Sequence, residues 1–105
     1  MHFIVVVTFE TTPDKHAEAL EILDEYIDSF LSLQPGFIES MLNEREDGRG
    51  YLHFARWRNE SEFRAFAAKS KNHRLLPKIR QFHANATFYQ SISHYTGSAV
   101  DSGVI

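Results

Sequence analysis

The segment Tyr51-Leu52-His53-Phe54-Ala55-Arg56-Trp57-Arg58 carries the residues of this chain best suited to chemistry. Side chains alternate across a β-strand, so on a strand Tyr51, His53, Ala55 and Trp57 share one face. Leu52, Phe54, Arg56 and Arg58 share the other. The first face combines a titratable imidazole with two aromatic side chains and a small alanine between imidazole and indole. Alanine leaves room, and room between rings is what a flat ligand requires. An imidazole with its ordinary pKa near ~6.5 can accept a phenolic proton at neutral pH, or donate to an oxyanion. The same residues also suit plain packing. A tryptophan at a strand end is more often core than catalytic, and a histidine on an apolar face is more often a hydrogen-bonded structural one. Phe63 and Phe66 recur at helical spacing just downstream and are expected to lie over this same face.

Other chemistries lack their residues. The chain has no cysteine, which removes disulfides, thiolate metal sites and thiol nucleophiles. His2, His16, His83 and His94 show no metal-ligand spacing such as His-Glu-x-x-His, so no metal site is expected. There is no Gly-x-Gly-x-x-Gly, no P-loop and no Gly-x-Ser-x-Gly, which leaves nucleotide cofactors and serine-hydrolase chemistry unsupported.

The elements that must position Tyr51, His53 and Trp57 follow from the hydrophobic pattern. Residues 2–9 are β-branched or aromatic on both alternating sets, the pattern of a strand buried on both faces. Thr12-Pro13 reads as a helix entry, with Thr12 as N-cap. Ala17, Leu20, Leu23, Ile27, Phe30 and Leu31 then form an apolar stripe, ended by Gln34-Pro35-Gly36. Strands are expected over 37–45 and 51–58, joined at Asp47-Gly48-Arg49-Gly50. Asn59 and Glu62 resemble a capping box at the start of a helix bearing Phe63, Phe66 and Ala67. A short helix over 72–82, perturbed at Pro77, and a last strand over 86–95 complete the core, with 96–105 a terminal tail.

This order, β-α-β-β-α-(α)-β, predicts an α+β, ferredoxin-like βαββαβ fold in one domain spanning 1–105. Both long helices then cover one face of the sheet. The first strand is nevertheless apolar on both faces, and Leu52 and Phe54 lie opposite the helices. A partner sheet is the natural cover, so a homodimer with sheets packed face to face is expected.

With 43% hydrophobic and 13% aromatic residues the chain can build a core and is too apolar to be disordered. Residues 10–28 are acidic apart from Lys15, and residues 56–80 are mostly basic. Two solvated helix faces of opposite sign account for this. A net charge of −3 and the lack of a nucleic-acid motif argue against a nucleic-acid partner. The N-terminus has no basic leader, and its apolar run is far short of the ~20 residues of a membrane span, so a cytoplasmic protein without a membrane partner is expected.

Pro35-Gly36-Phe37-Ile38-Glu39-Ser40, the Asp-Gly turn, Tyr51 to Trp57 and Ser61-Glu62-Phe63 together resemble the signature of the antibiotic biosynthesis monooxygenase family. The strand Phe3-Ile4-Val5-Val6-Val7-Thr8-Phe9 is similar to that of its anthrone oxygenase branch, and the likeness covers residues 2–95. It implies a dimeric α+β barrel with one pocket per subunit, between the sheet and its own helices. It also implies oxidation of a small phenolic aromatic by molecular oxygen as co-substrate, without metal, flavin or haem. Trp57 matches the family's pocket tryptophan. His53 stands where the anthrone enzymes carry Asn, and Phe63 where they carry Tyr. His73 falls near a histidine of many relatives and joins the expected ligand contacts. Haem-degrading relatives use a helix histidine as axial ligand together with an Asn on the first strand. No Asn occurs on that strand here, so haem is not expected.

Three readings remain. The first is a cofactor-independent monooxygenase in which His53 and Trp57 are catalytic, Tyr51 lines the pocket, and Phe63 and Phe66 form its apolar wall. The second is a polyketide cyclase or isomerase on the same scaffold, in which the same base enolises a carbonyl. The third is a non-catalytic ligand-binding dimer.

Overall fold

The structure, a computed structural model, describes residues 1–97. Strand β1 spans Phe3–Glu10, helix α1 His16–Ser29, β2 Phe37–Glu44, β3 Gly50–Trp57, α2 Glu60–Ser70, α3 Leu76–Arg80 and β4 Asn85–Gln90. The strands form one antiparallel sheet in the order β2-β3-β1-β4, the ferredoxin-like arrangement that the element order predicts. No helix among the described residues is long and apolar enough to cross a membrane. Residues 98–105 of the expected tail lie outside the described residues.

The β2–β3 hairpin turns at Gly48, whose φ of +71° suits glycine, while Asp47 Oδ1 accepts from the Arg49 amide at 2.9 Å. A second positive φ, +86° at Gly36, admits the chain into β2. Glu62 packs so closely there that a Cβ on Gly36 would overlap it. At the start of α2, Asn59 Oδ1 accepts from the Glu62 amide at 2.9 Å and Glu62 Oε1 accepts from Asn59 Nδ2.

The helices depart from the pattern at several points. Thr12 is not the cap of α1. It donates to Asp14 in a preceding turn, and the helix starts three residues past Pro13 with Lys15 at the cap position and no side-chain cap. The buried face of α1 is Ala19, Ile22, Leu23 and Tyr26, whereas Ala17 and Leu20 are exposed. Leu23 and Leu31 are buried as expected and Ile27 and Phe30 pack against the core, so the stripe departs from expectation only in its first turns, where Ala19 and Ile22 replace Ala17 and Leu20. Pro77 begins α3 rather than perturbing a longer helix, because its missing N–H costs nothing in a first turn. Strand β4 ends at Gln90, short of residue 95.

The core lies between the helices and one sheet face: Phe3, Val5 and Phe9 from β1, Tyr51, Ala55 and Trp57 from β3, and the inner faces of α1, α2 and α3. The sheet's other face presents Val6, Leu52, Phe54, Met41 and Tyr89. Met41 and Tyr89 are more than half exposed there, and no helix among the described residues covers that side. Arg56 Nε is buried on the same face without a hydrogen-bond partner, although the guanidinium pairs with Glu39 at 3.0 Å.

Candidate active site

Between sheet and helices the core does not close. A cavity of about 270 Å³ is lined by His53, Ala55 and Trp57 of β3, Val5, Val7 and Phe9 of β1, and side chains of all three helices. An apolar cavity of about 150 Å³ admits benzene, so this one has room for roughly two or three fused rings. Ala84 and Ala86 also line it and are exposed, which marks the β4 edge as the side on which it opens.

Trp57 is fully buried and locked by rings: Phe66 stacked at 5.2 Å, with Phe63 at 5.6 Å and Phe37 at 5.7 Å edge-on. Such packing fixes the indole, yet its Nε1–H has no hydrogen-bond partner. His53 is 5% exposed, sits between Val7 and Leu42 in the sheet, and its Nε2 also lacks a partner. Both residues belong to the cavity lining, and both nitrogens are buried without a partner among the described residues, which costs stability. Four strand residues at about 3.3 Å each put the Cα atoms of His53 and Trp57 roughly 13 Å apart. Ala55 lies between them on the same strand face and also lines the cavity.

Burial pushes the His53 imidazole down to about 4 from its ordinary 6.5. This corrects the expectation of a base poised near neutrality. The buried ring is therefore neutral at pH 7, with one N–H and one lone pair. Its basicity would return only beside an anion, whose attraction offsets the desolvation.

Of the six expected site residues, the cavity wall unites His53, Trp57, Phe63 and Phe66. Tyr51 is on the same strand face but outside the lining. Its ring stacks on His16 at 4.4 Å and its hydroxyl donates to the His16 carbonyl at 2.8 Å, anchoring the start of α1. The His16 imidazole is in turn held by Thr11 at 2.6 Å and Glu44 at 2.7 Å. His73 is also outside the lining. It packs against Tyr26 and Phe30, and its Nδ1 accepts from the Leu75 amide at 3.1 Å. The lining includes two polar residues that sequence reasoning missed, Tyr26 and Ser70. Tyr26 was legible as part of the 19, 22, 23, 26 stripe had its ring been counted as apolar. No group of three metal-ligating side chains occurs among the described residues.

Comparison with known proteins agrees with this architecture. The family described as antibiotic biosynthesis monooxygenase matches residues 2–85. Tetracenomycin-F1 monooxygenase of Streptomyces glaucescens is 24% identical over 101 residues, covering 96% of this chain and 90% of that protein. SnoaB of Streptomyces nogalater, described as a cofactor-independent oxygenase, superposes with a TM-score of 0.79 at 19% identity, over 89% of this chain and 95% of its own. The ActVA-Orf6 monooxygenase of Streptomyces coelicolor, solved with nanaomycin D, gives 0.77 at 20% identity, over 92% and 93%. Structural likeness at these identities establishes the fold.

Proposed function

Because the chain belongs to the antibiotic biosynthesis monooxygenase family, we propose that it is a cofactor-independent monooxygenase oxidising a phenolic, anthrone-like or quinol-type aromatic with molecular oxygen. The observation that carries this reading is the apolar cavity of about 270 Å³ between sheet and helices, with His53 and Trp57 among its lining residues. The described activities of the tetracenomycin-F1 enzyme and SnoaB support it.

For an anthrone the reaction balances without an external reductant. The methylene carbon loses two C–H bonds and becomes a carbonyl with one oxygen atom, and the second oxygen atom leaves with both hydrogens as water. The substrate supplies the electrons. What it needs from the protein is ionisation to an electron-rich anion in a dry site, and donors aimed at oxygen as negative charge develops. Trp57 Nε1–H is such a donor. Neutral His53 either donates likewise or takes the phenolic proton, giving an imidazolium–phenolate pair in which attraction compensates burial. Phe63 and Phe66 hold the rings and exclude water. Phe63 brings no hydroxyl, so acid–base work falls to the imidazole.

The same reading makes the protein a homodimer through the uncovered sheet face. Burying Val6, Leu52, Phe54 and Met41 against a second copy removes apolar area that a lone subunit leaves in water. The test of function is an oxygen electrode with anthrones and hydroquinones, without added metal or flavin. The expected result is enzyme-dependent uptake of one oxygen molecule per quinone formed, lost in His53→Ala. Product without oxygen uptake would instead indicate a cyclase or isomerase. No turnover over a broad panel would indicate a binding protein.

A further inference from the structure

The opening of the cavity has so far no role. It lies at the β4 edge, where Ala84 and Ala86 line the cavity and are exposed. Across from them the lining comes from Ala67 and Ser70 at the end of α2 and from Leu76 and Ile79 of α3. All six residues belong to one stretch of chain, and that stretch is cationic. From Phe63 to Gln90 it holds Arg64, Lys69, Lys71, Arg74, Lys78 and Arg80 and no Asp or Glu. Arg64 pairs with Glu60, and Arg74 with Glu25 of α1. Among the described residues the other four cations form no ion pair.

Helical spacing brings two of these four to the opening. Lys71 continues α2 in helical conformation, at φ −56° and ψ −27°, four residues after Ala67. Arg80 ends α3 four residues after Leu76. Residues four apart on a helix are neighbours, with Cβ atoms roughly 5–6 Å apart. Both Lys71 and Arg80 are exposed, and their long stems span more than that distance. Inside the cavity the conditions are opposite. No Lys or Arg belongs to the lining, so an ionised carboxylate there is buried without a cation, which is costly. At the opening the same group keeps water and meets two cations. A ligand with both a polycycle and a carboxylate therefore has one favourable orientation, rings inward and charge at the α2–α3 side of the opening.

We propose that Lys71 and Arg80 form a recognition rim, selecting polycyclic aromatics that bear a carboxylate at one end of the ring system and holding it outward while the rings fill the cavity. This rests on the aromatic-pocket reading above and narrows its substrate class to acids. The rim also draws such anions from solution, since its field acts before the rings enter.

The test needs no turnover. Anthraquinone-2-carboxylate and anthraquinone-2-carboxamide share their rings and nearly their shape and differ in charge, and calorimetric titration gives the affinity of each. The wild-type protein is expected to bind the carboxylate about fivefold more tightly at about 20 mM salt, the worth of two exposed ion pairs. The gap is expected to close at about 0.5 M salt, and the carboxylate to displace the carboxamide one for one. The double variant Lys71→Gln/Arg80→Gln is expected to bind the two equally at wild-type affinity for the carboxamide, which also shows that it folds. A double variant that keeps the preference or loses carboxamide affinity overturns the rim and leaves the monooxygenase reading intact. So does a wild-type protein without the preference, or one that binds both ligands at once. A wild-type protein that binds neither overturns the aromatic pocket as well.

Discussion

Replacing His53 by glutamine removes a side chain whose protonation folding opposes, and the size of the effect follows from its burial. Above pH 6.5 the imidazole is neutral in both folded and unfolded chains and contributes nothing to pH dependence. Between 6.5 and about 4 the unfolded chain takes up a proton that the folded protein refuses, so stability falls as pH falls. Below about 4 the folded protein is protonated as well and the loss is complete. Each pKa unit corresponds to about 1.36 kcal/mol, so the full loss is about 3 kcal/mol, most of it present by pH 4.5. The assay is urea unfolding of wild type and His53→Gln at pH 7 and pH 4.5, at one fixed protomer concentration so that any association cancels. Comparing the two pH differences also cancels the static cost of the substitution and the titration of surface carboxylates. Wild type is expected to lose about 2 to 3 kcal/mol more than the variant over this interval. An excess below about 1 kcal/mol, or an imidazole NMR titration centred near the ordinary value, would refute the argument that the ring is desolvated and unpaired.

Three further outcomes follow from the same geometry. Trp57→Phe keeps a ring but removes the indole N–H, and kcat on an anthrone is expected to fall about 10²-fold, as for loss of one oxyanion donor, with the fold retained by circular dichroism. Ala55→Leu puts three extra carbons between His53 and Trp57, so ligand affinity measured by Trp57 quenching should drop at least about tenfold. If binding persists undiminished, the ligand does not lie over position 55. Val6→Glu places a charge at the centre of the uncovered sheet face, and sedimentation is expected to show a monomer, against the dimer proposed for wild type, since an unpaired carboxylate resists burial.

The fold was largely legible because it is written in local periodicities. Two-sided apolar alternation gave β1, the Asp-Gly turn gave the β2–β3 hairpin, and Asn59 three residues before Glu62 gave the start of α2. Misreadings fell at helix ends. There Thr12 and Pro13 satisfy a turn as readily as a cap, and Pro77 fits a first turn better than a helix interior.

Sequence by itself determined that His53, Ala55 and Trp57 share a strand face and that the sheet has a second apolar side, because the two-residue period of a strand fixes both. Tertiary structure alone decided that a cavity of about 270 Å³ survives between that face and the helices, since emptiness depends on how side chains from distant segments meet. It placed Tyr51 against His16 and outside the cavity, and brought Tyr26 and Ser70 into its wall. It also set the imidazole down to about 4, because desolvation is a property of the surroundings and no neighbour in the chain encodes it.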